Sequence, residues 1–246
     1  MRNHPRDADL ERHLDAWAAS QAEVELSPEI QRNVQAILKR SLTPVKPLPS
    51  HGRLVLAFLA VFAVGAAGLI AIMNQAGAHL MTEAQIAGMV AILACGGILF
   101  SLLIAWQMVP GSRQGLPLSL VLALSGCGVF GGIAVLFPWR TSHAFVSEGW
   151  PCALMEVMIA VPAAAVFWLL ARSGALFGGA GVGAALGGLA VVLALAVLQF
   201  QCMFQQAPHL LAWHGGTAAI LIGLGALIGE VTPVYLRAGR YAGKAT

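Results

Sequence analysis

The sequence predicts an all-α protein: a six-helix transmembrane bundle preceded by a short N-terminal cytoplasmic helical segment. Apolar residues make up 58% of the chain and charged residues only 10%, whereas a soluble globular protein carries about 25% charged residues. Six apolar stretches are each long enough to cross a bilayer, which takes about 20 residues. The loops between them are too short to hold a soluble domain. We therefore divide the chain into residues 1–50 and residues 51–246.

The N-terminal segment is predicted to form two short amphipathic helices and a proline-rich linker. In the first helix, Leu10, Leu14 and Trp17 recur at the i, i+4 and i+7 positions of one face. The second helix starts at Ser27, with Pro28 at its first helical position. Its apolar positions are Ile30, Val34, Ile37 and Leu38. Two such helices cannot bury a core alone, so their apolar stripes are expected to contact each other, the membrane or a partner.

The six predicted spans cover residues 54–73, 85–108, 116–137, 152–171, 179–200 and 214–236. The first apolar run begins only near Leu54, so we expect no cleavable signal peptide. In span five, Gly179, Gly183 and Gly187 recur every four residues and place three small residues on one helix face. The same spacing relates Gly128 to Gly132 and Gly225 to Gly229. Such faces favour close helix packing over any role in binding a ligand.

The positive charges predict how the bundle is oriented. If the N-terminus is cytoplasmic, thirteen of the fourteen Lys and Arg residues face the cytoplasm and only Arg140 lies outside. The opposite orientation inverts this distribution, so the positive-inside rule predicts that both termini are cytoplasmic. Since topology accounts for the positive residues, we expect no direct contact with nucleic acid.

Glu156 is the ionisable residue that fits its predicted surroundings least well. It lies about one turn inside span four and four residues after Cys152, so the two side chains share a helix face. An ionisable group at such a depth is a functional hypothesis. The alternative is that Glu156 is protonated, or hydrated near the outer interface. Glu230, near the inner end of span six, is predicted to be interfacial.

The four cysteines fall into two pairs. Cys95 and Cys127 lie within predicted spans and are expected to be buried as small apolar residues. Cys152 and Cys202 lie at the outer ends of spans four and five, where the compartment permits disulfides. His209 and His214 follow, and thiolates and imidazoles together are ligands for soft or borderline metals. A disulfide or thiol sensor, a metal sensor and inert packing all remain open for this pair.

Several motifs of enzymes and pumps are absent from the sequence. It has no phosphate-binding glycine loop, zinc-protease helix, nucleophile elbow or C-x-x-C pair. No span carries several acids, as a proton-coupled pump does. We therefore predict a protein that is not an enzyme and has no resident cofactor. The competing hypotheses are a membrane thiol–disulfide oxidoreductase that uses Cys152 and Cys202, and a small transporter with Glu156 in its path.

Four short motifs, taken in order, resemble the family of negative regulators of sigma F. The run Leu-Thr-Pro-Val-Lys-Pro-Leu-Pro at residues 42–49 is similar to the family's approach to its first span. Residues 172–175 resemble the family's Arg-Arg-Gly-Ala loop, with a single Arg172 where the family has a basic pair. The remaining likenesses are Trp150-Pro151-Cys152 with Pro162, and the glycine-rich span that ends at Cys202 before His209, Trp213 and His214. The resemblance covers about residues 42–236.

The resemblance implies a multi-pass anti-sigma factor of the bacterial inner membrane. Its cytoplasmic segment would hold an extracytoplasmic-function sigma factor through the apolar stripes of the two helices. The outer pair, Cys152 and Cys202, would take part in sensing stress, including heavy-metal stress. We add Glu156 to the sensing residues because of its position beside Cys152, and His209 and His214 as candidate metal ligands. The lipid bilayer is the other expected partner, and the oligomeric state is not predicted.

Overall fold

A computed structural model describes residues 27–41, 49–73, 75–109, 117–141, 144–172 and 179–231. The chain divides into two compact units, Met1–Pro47 and Leu48–Thr246. The predicted helix that contains Leu10, Leu14 and Trp17 lies outside the described residues, and so does the side chain of Leu38.

Helix α1, Pro28–Ser41, begins where the sequence predicts. The hydroxyl of Ser27 accepts a hydrogen bond from the backbone N–H of Ile30 (3.3 Å), which satisfies one of the free donors of the first turn. Ile30, Val34 and Ile37 are all exposed on the helix. The structure thus leaves one apolar stripe of α1 open to solvent.

The second unit contains six long helices, each apolar and long enough to cross a membrane, and the described residues include no strand. The predicted all-α, six-span fold is therefore confirmed. The helices are α2 His51–Ile72, α3 Glu83–Met108, α4 Leu118–Leu136, α5 Phe145–Ala171, α6 Ala180–Gln201 and α7 Ala207–Val231. Helix α7 opens with one α-helical turn, passes through a π-helical segment at Leu210–Gly215, and continues as an α-helix from Gly216.

Helix α6 is the centre of the bundle. Every residue from Val182 to Leu195 is buried, and α2, α3, α5 and α7 all pack against it. Its sequence is almost entirely Gly, Ala, Val and Leu without a charge. Small residues let neighbouring helices approach closely in a membrane, so this composition suits α6 to the interior of the bundle.

The glycine faces of α6 and α7 meet each other. The backbone of Gly183 lies so close to α7 that a Cβ there would overlap the carbonyl oxygen of Gly225. A Cβ at Gly229 would come within 2.5 Å of the Gly179 carbonyl oxygen. The predicted close packing is observed, and it shows that the two glycine repeats are partners. Gly132, on α4, faces a side chain of α3 instead.

The two ends of the bundle are closed by different polar contacts. We call the end where α6 finishes and α5 and α7 begin the cluster end. There the side-chain amide of Gln85 donates a hydrogen bond to the Leu136 carbonyl oxygen (2.8 Å). At the opposite end, the Glu230 carboxylate accepts a hydrogen bond from the backbone N–H of Ala180 (3.1 Å). Negative charge is stabilised at a helix N-terminus. Glu230 therefore joins the last turn of α7 to the first turn of α6.

Two predicted helix starts and one burial prediction were wrong. Helices α5 and α7 each begin about two turns earlier than predicted, at Phe145 and Ala207. Residues 201–213, which lie between predicted spans five and six, are therefore mostly helical, and only residues 202–206 remain outside a helix. Cys95 and Cys127 are exposed on the surface of the bundle and not buried. A lipid-facing position suits a small apolar side chain as well as an interior one does.

Candidate cysteine–histidine site

Cys152, Cys202, His209 and His214 converge at the cluster end of the bundle. Their sulfur and ring-nitrogen atoms all lie within 4.8 Å of one another. The two Sγ atoms are 3.8 Å apart, and the Cys202 Sγ lies 3.5 Å from Nε2 of His209. The structure thus brings together the four residues that the sequence singled out, from three consecutive helices. We call this group the Cys–His cluster.

The two cysteines lie on adjacent helices near the cluster end of the bundle. The Cys152 thiol lies two turns inside α5 and donates a weak hydrogen bond to the Glu148 carbonyl oxygen (3.8 Å). Cys202 caps the C-terminus of α6, and its backbone N–H bonds to the Leu198 carbonyl oxygen (2.8 Å). Since α5 and α6 pack side by side, their ends fix the sulfur separation.

Gln205 fixes the turn that follows Cys202. Its side-chain amide donates hydrogen bonds to the carbonyl oxygens of Cys202 (2.7 Å) and Gln199 (3.0 Å). Its own oxygen accepts a hydrogen bond from the Gln199 side chain (2.9 Å). Sequence reasoning missed this glutamine pair. Four glutamines within residues 199–206, in an otherwise apolar region, are the signal that could have indicated it.

The π-helical segment aligns the two histidines. Five positions separate His209 from His214, a spacing that places them on different faces of an α-helix. The i→i+5 bonding of the π-helix at Leu210–Gly215 widens the turn and brings them to one side. Their ring centroids are 5.6 Å apart. Both histidines are buried at 2% exposure, and Nε2 of His214 has no hydrogen-bond partner among the described residues.

Aromatic rings pack against the histidines of the cluster. Phe204 and Phe145 lie against the His209 ring, with centroid separations of 5.2 and 6.5 Å. Trp213 contacts Phe145, and Gly149 lies against the Trp213 ring so closely that no side chain fits there. Only Cys152 among the four cluster residues is partly exposed, so it is the sulfur that a reagent from solution reaches first.

The two thiols are not equivalent. The pKa of the Cys202 thiol lies above its ordinary value, because its hydrogen bond to the Cys152 sulfur and its burial both favour the protonated form. The thiolate is the nucleophilic form of cysteine. The pair therefore combines a partly exposed sulfur with a buried thiol 3.8 Å away from it.

Glu156 lies one turn further into the bundle on α5. It is completely buried, and neither carboxylate oxygen has a hydrogen-bond partner among the described residues. Because α5 begins at Phe145, Glu156 is about three turns inside the helix and not one. Complete burial of the carboxyl group does not fit the alternative of a hydrated Glu156.

Two kinds of chemistry are open to the Cys–His cluster. The sulfurs would have to approach from 3.8 Å to about 2.05 Å to form a disulfide. Without that movement, two sulfurs and two imidazole nitrogens form a donor set that suits a borderline divalent cation.

Comparison with known proteins gives one match. A family model described as "Negative regulator of sigma F" matches residues 38–234, which include all six long helices and the whole Cys–His cluster. No curated protein and no solved structure matches the chain.

Proposed function

The chain belongs to the family of negative regulators of sigma F, and we propose that it holds an extracytoplasmic-function sigma factor at the cytoplasmic face of the bacterial inner membrane. It would release this sigma factor when the Cys152–Cys202 pair responds to stress in the periplasm. An anti-sigma role follows from the family. We propose three further points: the class of sigma factor, the side of the membrane on which it is bound, and the role of the cysteines.

The observation that supports the sigma-binding role is the open stripe of α1. Ile30, Val34 and Ile37 are 49%, 45% and 65% exposed. They recur at the i, i+4 and i+7 positions by which an amphipathic helix enters a hydrophobic groove. We propose that the polymerase-binding surface of the sigma factor offers such a groove. We propose that α1 covers this surface together with Leu10, Leu14, Trp17 and Leu38.

The observation that supports cysteine sensing is the 3.8 Å separation of two sulfurs on adjacent helices. A two-electron oxidant such as hydrogen peroxide would take two protons and two electrons from the thiols. The S–S bond would form as the peroxide O–O bond breaks and two waters leave. The product would join α5 covalently to the end of α6, and α6 packs on α7 through glycine backbones at Gly183 and Gly187.

We propose that this change travels along α6 to the opposite end of the bundle. Gly183 and Gly225 leave no space between the two helices to absorb a shift at one end, and packed interfaces of this kind switch between discrete arrangements. Glu156, buried one turn beyond Cys152, is assigned to the same path. A bistable bundle needs a bias of only a few kcal/mol to change its dominant state.

Capture of the sigma factor tests the proposed function directly. The tagged full-length protein, isolated from native membranes, should retain a sigma factor that mass spectrometry identifies as belonging to the extracytoplasmic-function class. Val34→Asp should weaken this binding by roughly 30-fold or more, since burying an unpaired carboxylate costs at least about 2 kcal/mol. The matched control is Gln35→Asp, which adds the same charge away from the apolar stripe and should bind normally. Absence of any sigma factor from the wild-type complex would overturn the proposal.

A further inference from the structure

We propose that the Cys–His cluster is a closed tetrahedral site for one divalent cation of the zinc class, with Cys152, Cys202, His209 and His214 all acting as ligands. The binding of the cation depends only on the geometry of the cluster. Its regulatory consequence rests on the proposed function, because a cation here would connect the same three helices that a disulfide would constrain.

Two separations between donor atoms of the cluster match those that a tetrahedral ion imposes. Zinc–sulfur bonds of about 2.3 Å place two sulfurs roughly 3.8 Å apart, and a sulfur and a nitrogen roughly 3.6 Å apart. The observed separations are 3.8 Å between the two sulfurs and 3.5 Å between the Cys202 sulfur and the His209 nitrogen. No pair among the four residues exceeds 4.8 Å. The four ligands would have to move closer together than this limit to coordinate one ion.

The histidines provide an observation that is independent of the cysteines. A π-helical turn is rare and occurs frequently at functional sites, and here it places two buried imidazoles on one side of α7. The Nε2 atom of His214 has no hydrogen-bond partner in the described part of the chain. An unsatisfied buried polar atom is unfavourable, and coordination at His214 by a cation would offset that penalty.

Charge balance favours a divalent cation in this position. Binding would release one proton from each thiol, so that two thiolates neutralise the 2+ ion while both imidazoles remain neutral. The bound site then carries no net charge, which suits a cluster in which three of the four ligands are buried. Sulfur and imidazole ligands select zinc-like ions over magnesium and calcium, which prefer oxygen.

The number of ligands determines what the ion can do. Four protein ligands leave no coordination position for water, as in structural zinc sites and unlike catalytic ones. The same two sulfurs cannot be thiolate ligands and a disulfide at once. Cation binding and oxidation of the Cys152–Cys202 pair therefore exclude each other. Oxidants would prevent cation binding, and a bound cation would prevent disulfide formation.

Equilibrium binding to the purified full-length protein in lipid nanodiscs tests this inference. Zn²⁺, titrated in competition with a chromophoric chelator, should bind at one ion per chain. Cd²⁺ should produce the ultraviolet band of thiolate coordination. Since loss of a residue that merely supports a ligand costs 10–100-fold in affinity, His209→Ala and His214→Ala should each weaken binding by about 100-fold or more.

The matched controls are His79→Ala and Cys95→Ser, which remove the same groups elsewhere in the bundle and should bind Zn²⁺ like the wild type. Gel filtration and helical circular dichroism should show that every variant is folded. Prior treatment with peroxide should abolish binding until a reductant is added. Prior loading with Zn²⁺ should protect both cysteines from alkylation.

Wild-type affinity in both histidine variants, or no saturable Zn²⁺ binding by the wild type, would overturn the four-ligand site. Neither result affects capture of the sigma factor by α1, so failure of this inference and failure of the proposed function are separate outcomes. A folded histidine variant that loses Zn²⁺ but still responds to peroxide would support the site and assign the oxidant response to the cysteines alone.

Discussion

Glu156 is a carboxyl group surrounded by helices, with no hydrogen-bond partner for either oxygen among the described residues. A buried polar group without a partner destabilises a protein by about 1–3 kcal/mol. Residues that leave a buried polar group without a partner are expected mainly at functional sites. Because Glu156 lies one turn from Cys152, we propose that it helps to transmit a change at the cysteine pair through the bundle.

We predict that Glu156→Leu stabilises the folded bundle by about 1–3 kcal/mol, because it removes the unsatisfied group without emptying the site. The same variant should release less sigma factor when Cys152 is oxidised. Thermal unfolding in detergent and a sigma-dependent reporter measure the two effects. Glu156→Gln is the matched control for size and polarity. A Leu variant that is less stable than the wild type would mean that the carboxyl group has a stabilising partner.

The cysteines of the Cys–His cluster could be predicted from sequence, but the reason for their proximity to the histidines could not. Cys152 and Cys202 stand at the ends of two consecutive apolar runs, and consecutive spans return to the same side of the membrane. The alignment of His209 with His214 depends on a π-helical turn, for which the sequence carries no periodic signal. The role of Gln205 depends on a turn whose path only the structure shows.

At the level of helices, the α6–α7 interface determines how far a local change can spread. Gly183 on α6 touches the backbone of α7 directly. Close contact of this kind is the usual basis of helix association in a bilayer, where lipid and side chains are equally apolar. The spacing of the glycines made the close packing predictable, and the many Gly and Ala residues of α6 suit its central position.

Gly183→Ala should destabilise the bundle by roughly 1–3 kcal/mol, because its methyl group would overlap the carbonyl oxygen of Gly225. Gly223→Ala makes the same chemical change on α7 where nothing lies within 4 Å, and it should leave stability unchanged or slightly improved. Thermal aggregation in detergent compares the two. Equal stability of both variants would show that the helices are not in backbone contact at Gly183.

The starts of α5 and α7 could not be predicted because both helices begin in mixed sequence. Residues 145–151 combine aromatic, acidic and proline residues, and residues 207–213 combine histidine with tryptophan. A search for apolar stretches assigns such segments to loops. In the structure they form helical turns that contact one another, with Phe145 against both His209 and Trp213.

At the level of the whole molecule, the orientation of the bundle is a prediction from charge. With thirteen of fourteen basic residues on one side, we expect reporter fusions after Leu48, Arg113, Arg172 and Lys244 to report the cytoplasm. Fusions near Gly77, His143 and Gln206 should report the outside. The physical reason is the preference of basic loops for the cytoplasm. An outside signal from the C-terminal fusion would be incompatible with six spans and a cytoplasmic N-terminus.

The orientation also determines what the Cys–His cluster can sense. It lies at the end of the bundle that the charge distribution places outside, whereas α1 precedes the first span on the predicted cytoplasmic side. The signal must therefore cross the full length of the helices to affect a bound sigma factor. Helix α6, buried along its length and attached to the cluster through Cys202, is the element that spans this distance.

The central claim is that the state of the Cys152–Cys202 pair controls retention of the sigma factor. The most direct measurement is the amount of sigma factor that stays bound to the full-length protein in membrane vesicles before and after peroxide or Cd²⁺. We predict that both reagents release it from the wild type and from Cys95→Ser and Cys127→Ser. Neither reagent should release it from Cys152→Ser, Cys202→Ser or the double variant, which should behave like either single variant. Release from the double variant to the same extent as from the wild type would contradict this claim. The two cysteines would then serve only to pack the helices.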